Sequence, residues 1–534
     1  MKSVLFHEKA REAVLRGATA LSDVIRVTLG PRARCVLIGR KWGAPFACND
    51  GVAIAKEFSL PDPVENLGAQ FLRQAAERTA ERVGDGTSTA TLLAHTLFAE
   101  GIRNMAAGAS PVGIRRGLER GLAAALASLS ALSRKLESRV EKAQVAALSA
   151  HNDPGMGNLV AEALERVGAE GAVTVEESRT TETSLEVVEG LRFPRGYISP
   201  YFVTDPGRMQ AVLEQPAVLL ADRRVSRMND LLPVLETLAR ENRPLLLIAE
   251  EVEGDALATL VVNKLRGTLS IAAARAPEFG DRRRAFLEDM ALLTGARLVC
   301  EEAGMTLEKT GPEHLGTVRR AVLDRESTTL VGGGGAREQI EARCAQLRQM
   351  SQETGSEYDR EKLQDRLARL QGGVAVIRVG APSEAEMLSR KEAFEDAVHA
   401  TKAALSEGVV PGGGLALLRT LPAVREEAER CEGDARTGVK ILETALEAPA
   451  RQIAANSGAD PGVVVSRMLE GPLGFDATRG TFTDLAAAGI LDPTRVVRVA
   501  LENAVSVAGT LLFTEATLTE IPERPKASDT PDLE

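Results

Sequence analysis

The stretch VGDGTSTATLLAHTL, residues 83–97, sets one acid between two glycines and follows it with three hydroxyls and an apolar run. Glycines and hydroxyls ahead of a helix are the materials of a phosphate cradle. This one contains an acid and no lysine. A bare carboxylate about 4 Å from a phosphate charge costs roughly 4 kcal/mol at an effective dielectric near 20. If the stretch holds a nucleotide, a cation must lie between the two charges. Mg²⁺ bound by Asp85 and bridging phosphate oxygens meets that need. Gly86 would let the backbone approach the phosphates, while Thr87, Ser88 and Thr89 offer hydroxyl and N–H donors. On this stretch alone, a capped surface turn is the competing reading.

The chain has 534 residues, room for roughly three or four domains of ~150 residues each. With 44% apolar and 26% charged residues it has the composition of an ordinary globular protein. The formal net charge is −10 and neither sign forms a long block, which argues against nucleic acid as a partner. Cys35, Cys48, Cys300, Cys344 and Cys431 are scattered, without CxxC or zinc-ligand spacing, as free thiols in a reducing cytosol would be. No apolar stretch reaches the ~18 residues of a membrane span. The start, MKSVLFHEKAREAV, meets charges too early for a signal peptide. The expected location is the cytoplasm, with no membrane partner.

Residues 9–29 carry Val14, Ala18, Leu21 and Ile25 at helical spacing, closed by Gly30 and Pro31. RCVLIGR then alternates as a strand does before the turn Asn49–Gly51, and residues 64–131 read as almost wholly helical. After about residue 172 the texture changes. AVTVEES, LEVVEG, AVLLAD, PLLLIAE, ARLVCEE and RAVLDRE are strand candidates alternating with helices such as 229–240 and 254–266. Residues 335–370 read as a helical hairpin, and from RKEAFEDAVHATKAAL onward the chain is helical and alanine-rich again. Two helical ends flanking a strand-rich middle predict one domain inserted into another. Gly190, Gly372 and Gly373 mark the seams, as plain turn residues or as hinges.

Other motifs join the first: VTLGPRAR at a helix end, CNDGV around Asp50, EDAVHAT with Asp396 on a helix, and the glycine-rich EGVVPGGGLAL. Together with RGYISPYF (195–202), EGDALATLVVN (253–263), FGDRR (279–283), YDREKLQ (358–364) and ILDPT (490–494), they run in an order that resembles the group I chaperonins, the GroEL family. The resemblance extends from about residue 5 to about residue 520. It implies a multidomain α+β fold. A helical equatorial ATPase domain (about 1–131 and 408–534), a small α/β intermediate domain (about 132–188 and 375–407) and an inserted α/β apical domain (about 189–374) are expected.

The same resemblance implies roles residue by residue. Thr28, Leu29, Gly30, Pro31, Asn49, Gly86, Thr87, Ser88, Thr89, Gly413, Asp476, Ala477, Thr478 and Asp492 match the ATP pocket. Asp85 matches a magnesium ligand, and a K⁺ ion is a further candidate. Asp396 matches the acid that orients or deprotonates the attacking water, and Asp50 a second acid near that water. Tyr197, Tyr201, Phe202, Leu232, Leu235, Leu257, Val261 and Val262 match an exposed apolar surface for non-native polypeptides, and Gly190, Gly372, Gly373 and Gly408 match hinges. The implied partners are unfolded chains, a GroES-type co-chaperonin lid, and copies of the chain in seven-membered rings stacked in pairs.

The sequence also departs from the pattern. Asn49 stands where the family usually has Lys, Asp476 where it has Asn, His151 where it has Asn, and Ala33 and Lys135 where Gly and Pro are usual. The polar end ERPKASDTPDLE lacks Gly-Gly-Met repeats and has the composition of a disordered tail. A holdase or scaffold with little ATP cycling is the main alternative function, and a small-molecule kinase or ligase a weaker one. Retention of Asp50, Asp85 and Asp396 favours an ATP-driven folding chamber.

Overall fold

The helical spacing of residues 9–29 is realised as helix His7–Ile25, which tightens into a 3₁₀ turn over Arg26–Thr28. Gly30 then reverses the chain at φ +92°. The computed structural model describes residues 2–39, 45–168, 171–178, 180–300, 305–354 and 357–520. The polar end singled out in the sequence lies outside them. The chain forms two compact units, one of Met1–Ala161 with Ser383–Glu534 and the other of Glu162–Pro382. The second unit is one continuous segment that falls between the two segments of the first. The segments expected to form an intermediate domain are shared between these two units.

The first unit is a layered helical body. Helices Pro63–Val83, Thr87–Ala106, Pro111–Leu132, Gly433–Leu446 and Thr494–Leu512 contribute to one continuous core that includes Leu72, Leu93, Phe98, Leu118, Leu442 and Ala504. Local sequence starts several of these helices. Asp62 accepts from the N–H groups of Val64 and Glu65 ahead of Pro63, and Asp460 does the same for Gly462 and Val463 ahead of Pro461. Small residues set how closely the helices approach. A Cβ on Gly17 would fall 1.7 Å from the Glu65 carbonyl oxygen, and one on Gly68 would fall 2.0 Å from that of Val14. Helices His7–Ile25 and Pro63–Val83 thus touch backbone to backbone. Strand Lys2–Phe6 pairs antiparallel with Ala516–Glu520, joining the two ends of the described chain.

The second unit is built on a seven-stranded mixed sheet. Ile271–Arg275, Leu245–Val252 and Ala217–Val225 run parallel, followed by Gly316–Leu323, Thr328–Gly333 and Gly190–Phe193 in antiparallel order, with Ala211–Glu214 also paired to Gly316–Leu323. Buried on both faces, Leu245–Ala249 is continuously apolar rather than alternating. A second sheet sets Val374–Val379 between Ala172–Glu177 and Ser184–Val188. The helical hairpin is Arg337–Glu353 and Glu357–Gly372. One strand expectation fails: among the described residues of ARLVCEE, Val299 makes a single bridge to Ala221. The helix read over 229–240 begins at Leu232, where Pro233 suits a first turn, after a 3₁₀ turn at Met228–Asp230.

The close crossing at Gly17 gives a stability test. Gly17→Ala forces the Glu65 backbone aside, and overpacking of this kind costs about 1–3 kcal/mol. The variant should melt earlier than the parent in a thermal scan. An unchanged melting temperature would show that the two helices separate freely.

Candidate functional site

The residues around the opening motif belong to the first unit and come together from widely separated stretches of chain. Gly84 (φ +72°) ends one helix and Gly86 (φ +82°) starts the next, leaving Asp85 in the tight turn between them. Asp85 Oδ1 accepts from the Gly86 N–H (2.5 Å) and Oδ2 from the Ser149 hydroxyl (2.7 Å). Thr28 Oγ1 shares a 3.0 Å hydrogen bond with Ser88 Oγ, which seats the TLGP turn against the start of helix Thr87–Ala106. The Leu29 carbonyl is held by Asn456 Nδ2 at 2.8 Å, and exposed Pro31 follows Gly30 in the turn. Asp50 caps helix Gly51–Glu57 by accepting from the N–H groups of Val52 and Ala53. A Cβ on Gly51 would come within 2.6 Å of Ser88 Oγ and 2.9 Å of Thr87 Oγ1, so this cap lies directly on the hydroxyl-lined helix start. Thr87 is buried, and Ser88 and Thr89 are half-buried.

The other walls come from the C-terminal segments. A Cβ on Gly84 would stand 2.5 Å from His399 Cβ, so helix Glu384–Glu407 runs against the turn, with Asp396 one helical turn before that contact. Asp492 lies opposite Val410 on the strand pair Val409–Pro411 and Leu491–Pro493, and a Cβ on Gly412 would meet its Oδ1 at 2.9 Å. Gly413 (φ +64°) continues that turn beside Leu485 and the Phe475 carbonyl. Asp476 and Ala477 are buried, and Asp476 Oδ1 accepts from the Thr478 N–H at 2.9 Å. Arg32 donates to the Thr478 carbonyl at 2.8 Å, tying this loop to the TLGP turn.

Electrostatics mark the centre of this arrangement. Burial lifts the Asp85 carboxyl above its ordinary range, with Asp50 adding repulsion, while the bonds from Ser149 and Gly86 and the nearby His151 work against the rise. Burial, then Asp85 and Asp50, push Asp396 well above the usual range. Burial and then Asp85 push Asp492 up to about 7. Asp50, Asp396 and Asp492 therefore each lie within electrostatic reach of Asp85. Among the described residues, no group of three His, Cys, Asp or Glu could hold a metal ion. This donor set fits a cation such as Mg²⁺, which is commonly held by one or two carboxylates together with phosphate oxygens and water.

The profile of the TCP-1/cpn60 chaperonin family matches residues 21–522. Chaperonin GroEL 5 of Bradyrhizobium diazoefficiens is 60% identical over 533 residues, covering 99% of this chain and 98% of that protein. The chain belongs to the TCP-1/cpn60 chaperonin family. It is an ATP-dependent chaperone and an ATPase, its substrates are polypeptides, and chaperonins assemble as ring oligomers. Among the described residues no helix is long and apolar enough to cross a membrane.

The chaperonin's second unit carries the apolar residues expected to meet clients, and the structure divides them. Tyr201 is 60% exposed on the 3₁₀ turn Pro200–Phe202, while Leu232 and Val262 are exposed at opposite ends of their helices. Tyr197, Leu257 and Val261 are half-buried against the sheet core. Two expectations need correction. Phe202 is fully buried, because the Ser199-capped turn points it inward as it points Tyr201 outward. Leu235 is 7% exposed, since Val234, Leu235 and Leu238 form the core-facing stripe of helix Leu232–Glu241 and Leu232 falls outside it. Lys264 Nζ donates to the Val203 carbonyl at 2.7 Å, fastening the Tyr201 turn to helix Gly254–Leu265. Leu265, also exposed, extends the patch and escaped the sequence reading.

Sequence reasoning also missed Ser149, Asn456 and Arg32, whose polar groups bind partners distant in the chain and carry no local signature. The expected hinge glycines have definite backbone reasons. Gly373 and Gly408 take φ +61° and +84°, Gly372 ends its helix, and a Cβ on Gly190 would strike the Leu330 carbonyl at 2.4 Å.

The Asp492 environment predicts a pH-dependent stability. Its carboxyl titrates at about 7 in the fold and at about 3.9 when unfolded. Between those values the native state holds the extra proton, so this group's cost to stability grows as pH rises and levels off above about 7. Asp492→Asn should raise the melting temperature of the nucleotide-free protein more at pH ~8 than at pH ~4. Equal shifts at the two pH values would contradict the assigned burial.

Proposed function

We propose that the chain is an ATP-driven folding chamber whose nucleotide site is the acidic pocket of the first unit. The convergence of Asp85, Asp50, Asp396 and Asp492 on a hydroxyl-lined helix start carries this reading. Thr28, Leu29, Gly30 and Pro31 flank the nucleotide, and Gly413, Asp476, Ala477, Thr478 and Asp492 border its adenosine end. Gly86, Thr87, Ser88 and Thr89 hold phosphate oxygens through backbone N–H and hydroxyl donors, with Asn49 beside them. Asp85 would hold Mg²⁺, and K⁺ is a second candidate ion. The bound cation supplies positive charge that lets phosphates and carboxylates share the pocket. Asp396 accepts the proton of the attacking water or orients it, and a buried carboxyl with a raised pKa suits a base working near neutral pH. Asp50 holds the water from the other side.

The wider assembly belongs to the same reading. Equatorial, intermediate and apical domains divide the chain at Gly190, Gly372, Gly373 and Gly408, and the rings are heptameric and stacked in pairs. A GroES-type co-chaperonin closes them, and the protein works in the cytoplasm. Non-native polypeptides bind Tyr201, Leu232 and Val262, with Tyr197, Leu257 and Val261 beneath them. Burying each such side chain contributes roughly 1.5–3 kcal/mol, and a ring multiplies these weak contacts by avidity.

Two experiments test this reading. Asp396→Ala should slow single-turnover hydrolysis by orders of magnitude while ATP affinity stays near normal, and Asp85→Ala should weaken Mg²⁺-dependent binding as well. Unchanged hydrolysis in Asp396→Ala removes that residue from the chemistry. For the client surface, Tyr201→Glu should leave melting and ATPase activity intact yet fail to suppress aggregation of a denatured protein. Leu235→Glu should destabilise its unit by several kcal/mol, because it places a charge in the core. A Tyr201→Glu protein that still prevents aggregation would move client capture elsewhere.

A further inference from the structure

The second unit encloses a cavity of about 690 Å³, within the ~300–1,000 Å³ of sites that take small organic molecules. It lies beside the starts of the parallel strands Ala217–Val225 and Leu245–Val252 and along Gly316–Leu323 and Thr328–Gly333. Arg243 and Arg319 both line it. Arg319 reaches Glu176 only at 3.7 Å and Glu186 at 3.9 Å, and its Nη2 makes no hydrogen bond. Among the described residues, Arg243 has no carboxylate within ion-pair distance. Gln215, Asn242 and Thr317 add two amides and a hydroxyl whose side chains hold no hydrogen bond among the described residues. Part of the wall is bare backbone. A Cβ on Gly334 would fall 2.2 Å from Thr317 Oγ1, and one on Gly332 would fall 2.9 Å from Arg319 Cβ. Two acids also line the cavity: Glu214 is paired with Arg320 Nε at 3.1 Å, and Glu241 stands exposed at the end of its helix.

We propose that this cavity binds a small phosphate monoester with free hydroxyl groups, a sugar or polyol phosphate, held by Arg243 and Arg319 at its phosphate and by Gln215, Asn242 and Thr317 at its hydroxyls. A guanidinium presents a fork of N–H donors that matches phosphate oxygens. Arg243 spends that fork on nothing in the fold, and Arg319 is only loosely tied to its acids. Amides and hydroxyls both donate and accept, as the hydroxyls of a polyol require. Glu241 sharpens the choice, because a carboxylate accepts from hydroxyls and repels further phosphates. One anionic group on a neutral, hydroxyl-rich body fits this wall, and a polyphosphate does not. Among the lining side chains only Pro244 and Val318 are apolar, so the cavity offers little to the apolar groups that the Tyr201 surface suits.

The test titrates the full chain calorimetrically with glucose 6-phosphate, ribose 5-phosphate and glycerol 3-phosphate, and with inorganic phosphate and glucose as partial ligands. Each titration is run with and without saturating Mg-ADP. At least one ester should bind more tightly than inorganic phosphate, glucose should not bind measurably, and Mg-ADP should leave the ester bound. Arg243→Ala should weaken ester and inorganic phosphate alike by about ten- to hundredfold, the scale of one hydrogen bond to a charged group. Thr317→Val, which keeps the side chain's shape, should weaken the ester by about three- to tenfold and leave inorganic phosphate unchanged. Both variants should keep the parent's melting temperature and ATPase rate. If Arg243→Ala melts early, Arg243→Gln is read in its place. Failure of all three esters to bind, or ester binding that survives loss of Arg243 unchanged, would overturn the proposal. Binding that vanishes under Mg-ADP belongs to a nucleotide pocket and overturns it as well. An ester that binds no tighter than inorganic phosphate, or that ignores Thr317→Val, shows that the wall does not read hydroxyls and removes the assignment to a sugar or polyol phosphate.

Discussion

Like charge held in a small, desolvated space is the constraint around which the first unit is arranged. Burial lifts the carboxyls of Asp85, Asp396 and Asp492, and repulsion adds to it, from Asp50 on Asp85, from Asp85 and Asp50 on Asp396, and from Asp85 on Asp492. A protein that kept such a group only for stability would do better with apolar residues of similar size. The acids make sense as half of a site whose other half arrives with the ligand. A cation placed among them would turn that repulsion into attraction.

That repulsion persists because the surrounding helices hold it in place. Gly17 and Gly68 bring two helix backbones into contact, while Gly51 and Gly84 bring a cap and a crossing helix against the Asp85 turn. At Gly51 and Gly84 an added Cβ would strike Ser88 and His399, so neither cap nor crossing helix could approach the Asp85 turn as closely. Ser149 and Gly86 then fix the orientation of the Asp85 carboxylate.

Much of this was legible in the sequence because it is locally encoded. The acid between two glycines, the cap at Asp50 and the TLGP turn each state their geometry within a few residues. The inserted strand-rich middle was legible from the switch between helical and extended periodicity. What stayed hidden depends on the third dimension. The bonds of Ser149 to Asp85 and of Asn49 to His151 join positions that no spacing rule connects. Leu235 and Leu232 lie three residues apart and face core and solvent because the buried stripe runs through Val234 and Leu238 instead. Phe202 beside Tyr201 is the same lesson in a tight turn, where neighbours point in opposite directions.

The strand pair of Lys2–Phe6 with Ala516–Glu520 has a consequence for the way the chain comes into being. Its partner strand is synthesised more than five hundred residues after it, and helix Thr494–Leu512, a large part of the first unit's core, emerges only shortly before. The inserted unit, by contrast, is complete once residue 382 has emerged. Domains fold as units during synthesis, so the inserted unit can settle while the helical body still waits for its second half. Through that interval the apolar faces of helices such as Pro63–Val83 and Thr87–Ala106 lack their later partners. For that interval a nascent chaperonin exposes apolar surface of the kind a chaperone holds in other chains.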